Sequence, residues 1–165
     1  MDLQVQPTLD NPDTIEYTID MSKMLESLQV GSFGYLKSPI SIERLKNALE
    51  RENALLVDTR FSPKSKNPTW RKESLVSVLE RRYIHLPQFG NSAYKSDRIV
   101  IADMPKGIEF LVQLREFGFQ KFILMCACAN ESTCHRSVII RELLFNGAER
   151  VEFSVKDQSQ LELWS

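Results

Sequence analysis

From Leu28 onward two hydropathy rhythms alternate along the chain: short unbroken apolar runs, and stretches whose apolar residues recur three and four positions apart. The runs predict strands at Leu28–Gly34, Ala54–Asp58, Tyr83–Pro87 and Phe122–Cys128, because a parallel strand covered on both faces reads as continuous apolar sequence. The helical spacing falls on Ile42, Leu45, Ala48 and Leu49, with Ser41 placed as cap, and on Leu75, Val76, Val78 and Leu79. It returns at Ile108, Leu111, Val112 and Leu114, with Asp103 and Pro105 at the start and Gly118 as stop, and again from Cys134 to Gly147. Strand and helix thus alternate about four times. The pattern predicts a single-domain, three-layer, Rossmann-like α/β fold with a mainly parallel sheet and helices on both faces.

The rest of the chain is less regular. Residues 1–13 read as an arm, Thr14–Ile19 as a peripheral strand, and Met21–Leu28 as an alternative turn or two of helix; together, residues 1–25 form an extra element ahead of a domain at 26–156. Phe61–Lys72 reads as a loop without regular structure until Pro68, Gln88–Ile99 as a second long loop, and Arg150–Val155 as a last alternating strand. Residues 157–165, with Trp164, form a tail.

With 165 residues, 42% hydrophobic and 26% charged, the chain is large enough to bury one core without disulfide or metal staples. A net charge of -1 exerts no global pull on nucleic acid or membranes, so an anion site has to be a local patch. No apolar run approaches the roughly 20 residues of a bilayer span. The first residues lack the regions of a signal peptide, so a cytoplasmic location is expected, and three cysteines fit free thiols better than a disulfide framework.

Ligands of open α/β sheets sit beyond the carboxyl ends of the strands, which is where Asp58, His85 and Cys128 would share one edge. The organising segment is Lys121–Gly147, a buried strand handing over to a helix across a short polar turn. Ser132 or Thr133 is placed to cap that helix, and its free N–H groups together with Arg136 suit a phosphate or carboxylate; the other reading pairs Arg136 with Glu131. Cys134 at the helix start suits a thiolate nucleophile, with His85 or His135 as base. Against it, phosphatase-like and rhodanese-like loops have five residues between a cysteine and an arginine, and counting back from Arg136 the cysteine position falls on Asn130. A zinc reading of Cys126, Cys128, Cys134 and His135 is set aside because no second close ligand pair exists, leaving no metal and no cofactor. Asp58 suits a general acid or base, a ribose clamp, or a partner for Arg60. Arg60, Lys64, Lys66, Arg71 and Lys72 make the 60–72 loop cationic, and Phe61 and Trp70 are interleaved to stack a base.

Three blocks then fall into place. Leu56-Val57-Asp58-Thr59-Arg60-Phe61-Ser62-Pro63-Lys64-Ser65, Tyr83-Ile84-His85-Leu86-Pro87 with Phe89-Gly90-Asn91, and Leu124-Met125-Cys126 followed by Cys134-His135-Arg136-Ser137 resemble the DUF488 family. The resemblance runs from about Gln29 to Phe153 and implies an α/β domain with a pocket built from these blocks. Paired glycines common in the family are replaced here by Gly90-Asn91, and the N-terminal 25 or so residues have no counterpart. Relatives lacking the cysteine favour Asp58, Arg60, His135 and Arg136 as the shared core. The resulting expectation is a hydrolase acting on a phosphate-bearing nucleotide or nucleic acid, or else a non-catalytic binding module. Its catalytic candidates are Asp58, His135, His85 and Cys134. Its anion-binding candidates are Arg60, Ser62, Ser65, Arg136, Ser132, Thr133 and Trp70, the ligand being an anionic small molecule or nucleic acid met by the 60–72 loop, with no membrane.

Overall fold

The computed structural model describes residues 21–37 and 40–156. The N-terminal arm, the Thr14–Ile19 strand and the tail with Trp164 lie outside the described residues. Five strands, β1 (Gln29–Gly34), β2 (Ala54–Asp58), β3 (Tyr83–His85), β4 (Lys121–Cys126) and β5 (Glu149–Arg150), form one sheet in the order β3-β2-β4-β1-β5. All neighbours are parallel, with Asp58 opposite both His85 and Met125, and Gly34 opposite Cys126. This is the expected Rossmann-like α/β architecture.

The period-2 alternation of the strands sorts the core into two halves. Val30, Leu55, Val57, Phe122 and Leu124 face α1 (Met21–Leu25), α4 (Met104–Arg115) and α5 (His135–Phe145), represented by Leu25, Ile108, Leu111, Val112, Ile139, Ile140 and Leu143. Phe33, Ala54, Leu56, Ile123 and Met125 face α2 (Ile42–Arg51) and α3 (Lys72–Leu79), represented by Ile42, Leu45, Leu49, Leu75 and Leu79. Ser41 caps α2 by accepting from the Arg44 N–H, and Asp103 caps α4 by accepting from Lys106, as their positions predicted. Gly118 and Gly147 end their helical segments at φ of 95° and 107°, in the left-handed region that glycine reaches without strain.

Two elements differ from expectation. The last strand is confined to Glu149–Arg150, and Val151 adds one further hydrogen bond to Val30. Beyond it Phe153 and Val155 still pack on the α2–α3 half of the core, so the apolar alternation of 151–155 records packing of an extended segment rather than a ladder. Val76, counted into the apolar stripe of α3, is exposed, because Leu75 and Leu79, with Val78 partly buried beside them, are the residues of α3 that turn to the core. Among the described residues no helix is long and apolar enough to cross a membrane.

Candidate functional site

Asp58, Thr59 and Arg60 leave the carboxyl end of β2 and keep the strand's alternation, so their side chains part to opposite faces. On the α3 side, Arg60 clamps Asp58 with Nε on Oδ1 at 2.8 Å and Nη2 on Oδ2 at 2.6 Å. The Arg60 backbone N–H and the Tyr83 hydroxyl fill the remaining acceptor positions of the carboxylate at 3.1 and 2.7 Å. A carboxylate offers about four such positions, so Asp58 has none left for a substrate. Arg60 spends Nη1 on the Trp70 carbonyl at 2.8 Å and the Tyr35 hydroxyl at 3.4 Å. Burial pulls the Arg60 guanidinium down, but the bonds and charge of Asp58 outweigh it and hold the group above its ordinary value. Burial, then the charge of Asp58, push the Tyr83 phenol up.

The pairing of Asp58 with Arg60 is therefore what the structure contains, in place of a free acid–base group and a free anion clamp. Trp70 is also spent: it is 5% exposed and stacks on Tyr35 with ring centroids 4.8 Å apart, so it offers no open face to a base. His85 Nε2 donates to the Arg60 carbonyl at 2.8 Å and braces the same cluster. Ser65 accepts from the Asn67 N–H within the loop.

On the opposite face, Thr59 meets the start of α5. Its hydroxyl donates to the Met125 carbonyl at 2.9 Å and therefore faces His135 Nε2, 3.0 Å away, with a lone pair. The Thr59 carbonyl lies 2.9 Å from the same nitrogen and can only accept, so Nε2 carries the hydrogen. In the neutral ring, Nδ1 then presents its lone pair to Cys134 Sγ at 3.6 Å and Cys126 Sγ at 4.0 Å. Cys128 Sγ stands 3.8 Å from Cys126.

Arg136 closes this cluster from behind. Its Nε donates to Cys134 Sγ at 3.4 Å, Nη1 to Ser32 Oγ at 2.9 Å and Nη2 to the Cys128 carbonyl at 2.6 Å. Only 1% of Arg136 is exposed, so it supports the turn instead of reaching for an anion, and Glu131 pairs with Arg150 instead. Gly34 makes this possible, since a Cβ there would collide with the Cys128 carbonyl and crowd the Arg136 guanidinium. The cap differs too. Cys134 occupies the N-cap position of α5 without a side-chain bond, while the Ser132 and Thr133 hydroxyls donate to Asn130. A Cys126 hydrogen bond, opposed by burial and aided by His135 and Arg136, brings the Cys134 thiol down to about 3. Hydrogen bonding with Cys134 and burial push the Cys126 thiol up, and burial, then Cys134, does the same to Cys128.

Three of the four residues in the metal reading set aside on spacing lie close together. Cys126, Cys134 and His135 bring their ligand atoms within 4.8 Å of one another, because the turn after β4 folds back on the strand. Sequence spacing does not reveal this closure.

All three residues line a cleft of about 590 Å³ whose outer wall comes from the two loops. Phe61 and Tyr94 face each other there with centroids 6.0 Å apart, and Ser62, Lys64, Asp97, Arg98 and Thr133 complete the rim. Asn91 holds the second loop in place: its Oδ1 accepts from Ala93 and Val100 N–H, and its Nδ2 donates to the Arg98 carbonyl. Sequence reasoning missed Thr59, Tyr83, Tyr94 and Arg98. Period-2 alternation at the end of β2 pointed to Thr59 facing away from Asp58, whereas nothing in the pattern singled out the loop residues.

Fold and site together define a three-layer α/β protein with its cleft beyond the carboxyl ends of β2 and β4. The chain belongs to the DUF488 family, described as a domain of unknown function, which matches residues 41–143. No curated protein and no solved structure matches the chain.

Proposed function

We propose that this protein hydrolyses a phosphate ester in a nucleotide or a short single-stranded nucleic acid. The observation that carries the reading is the composition of the cleft, with the reactive atoms of Cys126, Cys134 and His135 on its floor and an aromatic, cationic rim above. Phe61 and Tyr94 pack against each other at the rim and stay exposed, so their outer faces offer a base a stacking surface, a contact that tolerates any base because each has a π-face. Lys64 and Arg98 supply charge for the phosphate, and Ser62 and Thr133 supply hydroxyls. Asp58 and Arg60 act one layer back, fixing the end of β2 so that Thr59 meets His135.

A panel of nucleotides and short DNA and RNA oligomers, screened by thermal shift and then by product analysis, tests this reading. Expected are stabilisation by a nucleotide, its conversion to a dephosphorylated or cleaved product, and loss of conversion in Cys134→Ser and His135→Ala. Failure of every nucleotide and oligomer to stabilise the chain would remove the proposal.

Binding without turnover is the second reading, favoured by the absence of a free carboxylate at the floor among the described residues, since Asp58 is saturated. Recovery of an intact bound nucleotide that the protein never converts would select it.

A further inference from the structure

We infer that Cys126, Cys134 and Nδ1 of His135 form a binding site for one zinc ion whose remaining coordination position opens into the cleft. The inference deepens the proposed hydrolysis by naming the cofactor of the same site, and the coordination itself stands independently of that reading.

The distances are close to those of a tetrahedral site. With Zn–S near 2.3 Å and Zn–N near 2.0–2.1 Å, two ligands around one ion stand about 3.6 Å apart for an S–N pair and about 3.8 Å for an S–S pair. Nδ1 lies 3.6 Å from Cys134 Sγ and 4.0 Å from Cys126 Sγ, and the three ligand atoms lie within 4.8 Å of one another. Small side-chain rotations bring the wider separations to the tetrahedral values. Two thiolates and an imidazole suit zinc in charge and softness.

The surroundings match as well. Zinc-bound histidines commonly donate their other ring N–H to a carbonyl, which fixes the tautomer and aims the free nitrogen, and the Thr59 carbonyl receives that N–H at 2.9 Å. Arg136 Nε donates to Cys134 Sγ at 3.4 Å, a contact that stabilises a coordinated thiolate. Cys128 lies outside the set of three and is exposed on the cleft side, 3.8 Å from Cys126. Three protein ligands with an open position are the arrangement of catalytic zinc sites, which lower the pKa of bound water to about 7. The hydroxide oxygen would bond to phosphorus as the ester P–O bond breaks, and the proton given up by the water would end on the leaving oxygen.

The full chain is stripped with a chelator, loaded with zinc or cobalt, and assayed for bound ion. Expected are one ion per chain, a thiolate-to-cobalt charge-transfer band, a raised melting temperature on zinc addition, and protection of Cys126 and Cys134 from alkylation. Cys126→Ser and Cys134→Ser should lose the charge-transfer band's intensity stepwise. Thr59→Gly, which frees the backbone holding Nε2, should weaken binding roughly tenfold or more, the size of an outer-partner loss. Protection measured on the unmodified chain does not depend on any variant folding. Failure of zinc to protect these two thiols, or to bind at one ion per chain, overturns the site. Loss of the ion in Cys128→Ser would overturn the open position, because the site would then be a closed four-ligand one. A chain that binds zinc but converts no nucleotide keeps the site and loses the proposed hydrolysis; one that converts nucleotide equally well after stripping keeps the hydrolysis and loses the catalytic ion.

Discussion

Asp58 and Arg60, two positions apart at the end of β2, hold each other through paired hydrogen bonds of 2.8 and 2.6 Å while almost wholly removed from solvent. Removing one partner of such a pair leaves an uncompensated buried charge and costs about 3 to 5 kcal/mol. Asp58→Ala is therefore expected to lower the urea midpoint strongly, and Asp58→Leu with Arg60→Met to recover part of the loss. A direct catalytic role for Asp58 would instead leave the midpoint near that of the unmodified chain.

Asn91 makes three hydrogen bonds inside the loop that carries Tyr94 and Arg98. Asn91→Ala should loosen that loop at a global cost of about 1 to 2 kcal/mol, since these bonds are close to solvent. Hydrogen exchange should accelerate at the Ala93 and Val100 amides, and nucleotide-induced stabilisation should shrink. Unchanged exchange at both amides would show that the loop is held by other means.

Gly34→Ala places a methyl group against the Cys128 carbonyl and the Arg136 guanidinium. The expected loss is about 2 kcal/mol, in the range of overpacked sites. Because Arg136 would have to retreat from Cys134, thiol reactivity should change along with the thermal midpoint. Gly118→Ala, in open space, is the comparison: its cost comes from φ alone, and its thiols should react as before.

The hydrogen-bonded Arg150 guanidinium holds the Glu131 carboxyl below its usual range against the opposing effect of burial. A depressed folded-state pKa contributes stability above the unfolded value of about 4.3 and loses it as pH falls through the folded one. Glu131→Gln should therefore be less stable than the unmodified chain near neutral pH, by no more than about 1 kcal/mol for so exposed a pair, with a smaller difference at about pH 3, below the unfolded value. Urea titrations of both proteins at the two pH values measure it.

The strands and their sheet were legible because Ala54–Asp58 and Lys121–Cys126 are apolar runs that a two-sided burial demands, and both are buried almost throughout. The helix stripe on Ile42, Leu45, Ala48 and Leu49 was equally direct, all four being buried. The edge of the sheet where chemistry gathers was legible too, since residue types and strand ends locate it. Partner choice was not. Whether Arg60 and Arg136 meet a ligand or the fold depends on Trp70, Ser32 and the Cys128 carbonyl, groups across a loop or on another strand whose approach only tertiary packing decides. The same holds for Cys126 and Cys134, which have no close ligand spacing and meet because a turn folds back.

The strand order has a consequence in time. β4 lies between β1 and β2, so the first two of the described strands have no direct partner in each other, and β1 waits for a segment beginning at Lys121. Until it inserts, β1 and the β2–β3 pair cannot join into one sheet, and non-local pairing of this kind is slow and exposes apolar edges. The same strand carries Cys126 and leads into Cys134 and His135, so the reactive cluster is assembled by the event that completes the sheet. A nascent chain would hold its thiols apart until its fold was committed.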